Sequence, residues 1–192
     1  MLEPAGITSR SETAVGSMTL ASLVRTYICA KDWNRPHLVS RVFSPTAVVE
    51  MVVKTDAIAF DPAAHGPEAI AEMLVRRVSQ QYDNVYTFCL CEPPPPAALR
   101  LDCGWLVMMS DKQTRELRAG FGRYAWEWRP DVEPLVNRLT ITIERMDRFD
   151  PTLCSAAFEW AERLPYPWCP VGRAVGAPTP LDAVVTEASG QA

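Results

Sequence analysis

The stretch Leu117–Phe149, LRAGFGRYAWEWRPDVEPLVNRLTITIERMDRF, constrains this chain more than any other. Leu117, Ala119 and Phe121 alternate with Tyr124, Trp126 and Trp128, and Leu139, Ile141 and Ile143 alternate with Thr140, Thr142 and Glu144, which is the period of two that a strand imposes. Pro130 and Pro134 bracket a segment that cannot continue a sheet. The stretch therefore predicts a long antiparallel hairpin. Such a pair is unstable with bare apolar faces, so the rest of the chain must cover it.

Helical spacing supplies the first cover. Leu20, Leu23, Val24, Tyr27 and Ile28 form an apolar stripe ending near Asp32, with Ser17 or Thr19 as the N-cap. Asn34 and Pro36 open a shorter helix carrying Leu38, Val39, Val42 and Phe43, and Gly66-Pro67-Glu68 open a third carrying Ile70, Met73, Leu74 and Val78. Ala47–Lys54, Tyr82–Cys91 and Leu99–Asp111 read as strands, the last two joined by four consecutive prolines. Pro151 begins a further helix with Leu153, Ala157, Trp160 and Leu164, then a proline-rich strap, with disorder expected beyond Val171. The order is α+β, helices on one face of a curved sheet.

At 192 residues and 48% hydrophobic content the chain supports one core. The divisions are a flexible tail over 1–17, a domain over 18–150 and a C-terminal helix with a Pro-rich tail over 151–192. A net charge of -4 and the absence of a Lys/Arg cluster argue against a nucleic-acid partner. No apolar run reaches the roughly 20 residues of a membrane span, and the N-terminus lacks a signal-peptide pattern, so a cytoplasmic protein is expected. The six cysteines lie in strand or helix patterns without CxxC spacing, and the only histidines are His37 and His65. Reduced thiols and no metal are expected.

Four phrases carry a resemblance to a known superfamily: the helix ending in Asp32-Trp33, Val42-Phe-Ser-Pro-Thr-Ala-Val-Val-Glu50, Gly66-Pro-Glu-Ala-Ile70, and Leu139-Thr-Ile-Thr-Ile-Glu-Arg-Met-Asp147. Over roughly Thr19–Asp150 the chain resembles the nuclear transport factor 2-like superfamily, in its SnoaL-like and ketosteroid isomerase-like branch. The resemblance implies a cone-shaped, curved mixed or antiparallel sheet. Three helices from the N-terminal half pack on its concave face, and a C-terminal helical extension follows. It also implies a blind, apolar cavity where any chemistry occurs.

Family sites map onto this chain unevenly. Tyr27 falls where ketosteroid isomerases carry the tyrosine that hydrogen-bonds the developing enolate, but their general base would fall at Met51 and their second oxyanion acid at Gly122. Neither side chain can do that work. Limonene epoxide hydrolase is similar at Arg100-Leu-Asp102 and at Asp147, which implies two carboxylates acting as acid and base with Arg100 orienting them. Against this, Leu101, Cys103, Trp105, Val107 and Met109 form the more apolar face of their strand, and if that face lines the core Arg100 and Asp102 point outward. Gly120 and Gly122 between bulky neighbours suggest a sheet bend that leaves space for a ligand.

Two roles follow. In the first, a hydrophobic small molecule binds against Met51, Trp105, Gly122, Tyr124 and Trp126. Any reaction would be a cofactor-independent isomerisation, cyclisation, dehydration or hydrolysis by Tyr27, Arg100, Asp102 and Asp147. In the second, the chain is a non-catalytic assembly or scaffold subunit using the convex sheet face with Arg123, Glu127, Arg129, Trp160 and Trp168. A homodimer paired through the sheet is compatible with both.

Overall fold

The computed structural model describes residues 18–191, so the N-terminal tail expected over 1–17 lies outside the described residues. Helix α1, Leu20–Asp32, is started by Thr19. The Thr19 hydroxyl accepts from Ser22 N at 3.2 Å and the Ser22 hydroxyl accepts from Thr19 N at 3.1 Å, a reciprocal cap that satisfies two amides the first turn cannot. A short 3₁₀ helix follows at Pro36–Arg41, and α2 (Gly66–Ala71), a π turn (Glu72–Arg76) and α3 (Arg77–Gln81) run on as one rod. These three helical pieces cover the concave face, as the stripes of Leu23, Val24, Ile70 and Leu74 require.

Six strands form one sheet in the order β2-β1-β6-β5-β4-β3. They are β1 (Phe43–Val53), β2 (Ala63–His65), β3 (Tyr82–Cys89), β4 (Arg100–Asp111), β5 (Leu117–Trp128) and β6 (Val136–Phe149). All neighbours are antiparallel except β1 and β6, which are parallel. β1 starts four residues earlier than its β-branched run predicts. Pro45 is accommodated because the β1–β6 register slips between Phe43 and Val48, where no ladder amide is needed from it.

The hairpin of β5 and β6 is bent by a bulge. Phe121 lies opposite Arg145 but Gly122 lies opposite Ile143, so Glu144 is the extra residue. The bend presses β6 onto β5, and only glycine fits there: a Cβ on Gly122 would stand 1.8 Å from Thr142 O and one on Gly120 would stand 2.4 Å from Arg145 O.

The two faces of the hairpin bury different cores. Tyr124, Trp126, Trp128, Leu139 and Ile141 join the helices on the concave side. Leu117, Ala119 and Phe121, with Leu106 and Met108 of β4, meet the C-terminal extension on the convex side. That extension is ordered where disorder was expected. Beyond α4 (Cys154–Ala161), helix α5 spans Leu181–Gln191 and buries Leu181, Val184, Val185 and Ala188, an i, i+3, i+4, i+7 stripe. The Trp160 indole turns inward and donates to Val175 O at 2.8 Å, and Trp168 bridges to Cys89 beside the edge of β3. The C-terminal extension thus covers much of the convex face of the hairpin. The rest of the convex face, on β1 and β6, is charged, with ion pairs Glu50–Arg138 and Lys54–Glu144 both at 2.8 Å.

Candidate functional site

The cone holds a cavity of about 70 Å³. Helix α1, the helical rod, the loop after β1 and five of the six strands contribute to it. Tyr27 and Lys31 come from α1, Met51 from β1, Ile58 and Phe60 from the loop after β1, and Leu74 and Val78 from the helical rod. The remaining strands add Tyr82, Val85, Thr87, Trp105, Val107, Met109, Tyr124, Ile141, Ile143 and Met146. The wall is apolar, and Lys31 is its one charged member. A neighbouring groove shares Ile58, Phe60, Val78 and Tyr82 with the cavity and adds Asp61 and Arg77, which are paired at 2.8 Å.

Tyr27 is clamped by rings: Trp126 at 5.3 Å, Phe43 at 5.8 Å and Tyr124 at 6.2 Å between centroids, all edge-on. Its hydroxyl is buried with no hydrogen-bond partner, and so is Trp105 Nε1. Burial pushes the Tyr27 pKa far up and the Asp32 carboxylate adds to this; the Tyr124 hydroxyl is near enough to moderate the shift without meeting hydrogen-bond geometry. Tyr124 is raised for the same first reason, burial. Both phenols stay protonated and can donate, but neither serves as a base.

Of the residues expected at the site, Tyr27, Met51, Trp105 and Tyr124 line the cavity. Trp126 stands behind Tyr27, stacked on Phe43 at 5.9 Å. Gly122 lies beneath Trp105, whose ring would be 2.7 Å from any Cβ there. Arg100, Asp102 and Asp147 are not brought together. Arg100 and Asp102 are exposed on the convex side, where Asp102 pairs with Arg123 at 2.6 Å. Asp147 would share the face of Ile141 and Ile143 in a regular strand, but the extra residue Glu144 reverses the alternation. Met146 then faces the cavity and Asp147 turns outward to Arg145, at 2.6 Å, with Glu187 of α5 on the same guanidinium. His37 and His65 are exposed. No carboxylate or imidazole lines the cavity among the described residues, and these contain no cluster of three metal-ligating side chains.

Sequence reasoning missed the polar pole of the cavity: Lys31, Thr87, and behind them Asp32 and Tyr166. The spacing of Tyr27 and Lys31, one turn apart on α1, was the available clue.

No family model and no curated protein matches the chain. Solved structures do match. One is a proposed isomerase from Rhodopseudomonas palustris, with TM-score 0.53 and 12% identity over 66% of this chain and 92% of that one. Another is RV0760c from Mycobacterium tuberculosis, with TM-score 0.51 and 8% identity over 68% and 98%. A third is a protein of ketosteroid isomerase-like fold from Catenulispora acidiphila in complex with trimethylamine, with TM-score 0.49 and 13% identity over 65% and 85%. At such identities the first two likenesses show the fold alone, an α+β cone of the nuclear transport factor 2-like fold. No described helix is long and apolar enough to cross a membrane.

Proposed function

We propose that this chain binds a small, apolar molecule inside its cone. The observation that carries the reading is the wall itself: an apolar chamber that leaves the Tyr27 hydroxyl and Trp105 Nε1 without partners. A buried donor without an acceptor costs about 1–3 kcal/mol, and a ligand oxygen could relieve that cost. Met51, Met109 and Met146 sit around the chamber, and their unbranched side chains can move to admit a body larger than the empty space. An acid–base reaction by Asp102 and Asp147 has no support in the geometry, because both stand on the far side of the sheet.

The test is titration with neutral apolar compounds, followed through intrinsic tryptophan fluorescence, to which Trp105 of the cavity wall contributes. Saturable binding that disappears in the cavity-filling variant Ile143→Phe, with circular dichroism unchanged, is the expected result. A response that does not saturate, or that survives the filling variant, refutes it.

A further inference from the structure

The polar pole of the cavity is completed by a segment that lies outside the sheet domain. The Lys31 side chain is 10% exposed, and its ammonium donates to Asp32 Oδ1 at 2.6 Å and to Thr87 Oγ1 at 2.5 Å. An ammonium has three N–H donors. The third has no protein acceptor among the described residues, and the side chain that carries it lines the cavity. The Asp32 carboxylate, whose side chain is 0% exposed, is saturated: besides Lys31 it accepts from Thr87 N at 2.6 Å, Thr87 Oγ1 at 2.8 Å and the Tyr166 hydroxyl at 3.0 Å.

Tyr166 belongs to the strap after α4. Cys89 N donates to Pro167 O at 2.7 Å and Cys169 N donates to Cys89 O at 2.9 Å, so the strap is laced to the edge of β3. Tyr166 also stacks on Trp33 at 5.9 Å between ring centroids. The strap thereby fixes the carboxylate that fixes Lys31.

Charge decides what the pole accepts. The Lys31 charge is balanced by Asp32, so a ligand carboxylate would be buried without a counter-charge of its own, and a ligand ammonium would face Lys31 directly. A neutral acceptor takes the spare N–H and adds no charge. Building on the cavity-binding reading above, we infer that the cone selects uncharged molecules with an acceptor oxygen for Lys31, and that Tyr166 is the positioning residue that aims that lysine. The chemical class is apolar ketones, esters or ethers, in preference to hydrocarbons, carboxylates and amines.

The experiment measures calorimetric Kd values for acetophenone, ethylbenzene and benzoate on the full chain. Three proteins are compared: wild type, the double variant K31M/D32N, which removes the lysine without stranding its carboxylate, and Tyr166→Phe. A hydrogen bond from a charged donor is worth enough for wild type to hold acetophenone at least about tenfold tighter than ethylbenzene or benzoate. K31M/D32N brings the acetophenone-to-ethylbenzene ratio to about one. Tyr166→Phe lowers that ratio severalfold while leaving ethylbenzene affinity unchanged, a selectivity change that a loss of stability alone would not produce. Equal wild-type affinities for acetophenone and ethylbenzene, tighter benzoate binding, or a ratio untouched by K31M/D32N overturns the inference and leaves the cavity reading standing. A ratio untouched by Tyr166→Phe overturns the role of the strap. Failure of all three compounds to bind removes the cavity reading as well.

Discussion

Gly122→Ala is the sharpest probe of how this cone is bent. The added methyl would lie 1.8 Å from Thr142 O, which is 1.2 Å inside the 3.0 Å that real Cβ contacts respect, and 2.7 Å from the Trp105 ring. A side-chain tip could swing aside, but Thr142 O is backbone on the strand paired with β5, opposite Arg123. Relief requires β6 to lift at the bulge, which weakens neighbouring ladder hydrogen bonds at roughly 1 kcal/mol each. Overpacking of a core costs about 1–3 kcal/mol where side chains can yield, so a backbone clash belongs at about 3 kcal/mol or beyond. That is a large share of the 5–15 kcal/mol that typically holds a domain together. The assay is urea unfolding by circular dichroism, with Gly190→Ala as the control. Gly190 lies in α5, and a methyl added there meets nothing within 4 Å, so alanine gains up to about 1 kcal/mol of helix propensity. If Gly122→Ala unfolds within about 1 kcal/mol of wild type, the bend does not depend on the close approach of β6, and the reasoning fails.

Three further perturbations separate the parts of the structure. Tyr27→Phe removes a buried hydroxyl that has no partner, so the ligand-free protein should be unchanged or up to about 1 kcal/mol more stable; a loss above that in urea unfolding would reveal a bond to this hydroxyl. Truncation before Leu181 removes the buried Leu181, Val184 and Val185 from the convex sheet, at about 5 kcal/mol or more in lost burial, and light scattering should show association; a monodisperse product of unchanged Tm would refute it. Asp111 accepts from Thr114 N and Gln113 N and faces Arg118, and these hold its pKa below the ordinary carboxylate value. A depressed carboxylate stabilises fully above its unfolded pKa near 4 and loses that contribution as pH falls through the folded value, so the gap between wild type and Asp111→Asn should shrink from pH 6 to pH 3; a gap that grows on acidification would contradict the assignment.

Much of this architecture is legible in the sequence because period two and helical stripes report burial directly. The alternation around Tyr124 and Trp126 separates the two faces of the hairpin, and the glycines at 120 and 122 mark the bend. The consequence of the bend is harder to read. One extra residue, Glu144, reverses every side chain after it, and nothing in ITIERMDRF distinguishes a regular strand from a bulged one; simple alternation therefore puts Asp147 on the wrong face. Helix α5 escapes for another reason. Its stripe of Leu181, Val184, Val185 and Ala188 is short and follows a Pro/Gly-rich segment, whose composition masks a helix that is stable only because a bare sheet face awaits it. Lys31 and Asp32 read in the sequence as the end of an amphipathic helix. Their partners Thr87 and Tyr166 lie 55 to 134 positions away, beyond what local spacing can connect.

The parallel pairing of β1 with β6 has a consequence for synthesis. Glu50 is joined to Thr140 across 90 positions, and β3, β4 and β5, which come between them in the chain, all lie on the far side of β6. A chain leaving the ribosome therefore presents β1 with one edge vacant until nearly the whole domain has emerged. The sheet cannot zip from its N-terminal end. Closure waits on a late, long-range docking, a topology that folds slowly and leaves an apolar edge exposed to nascent neighbours in the meantime.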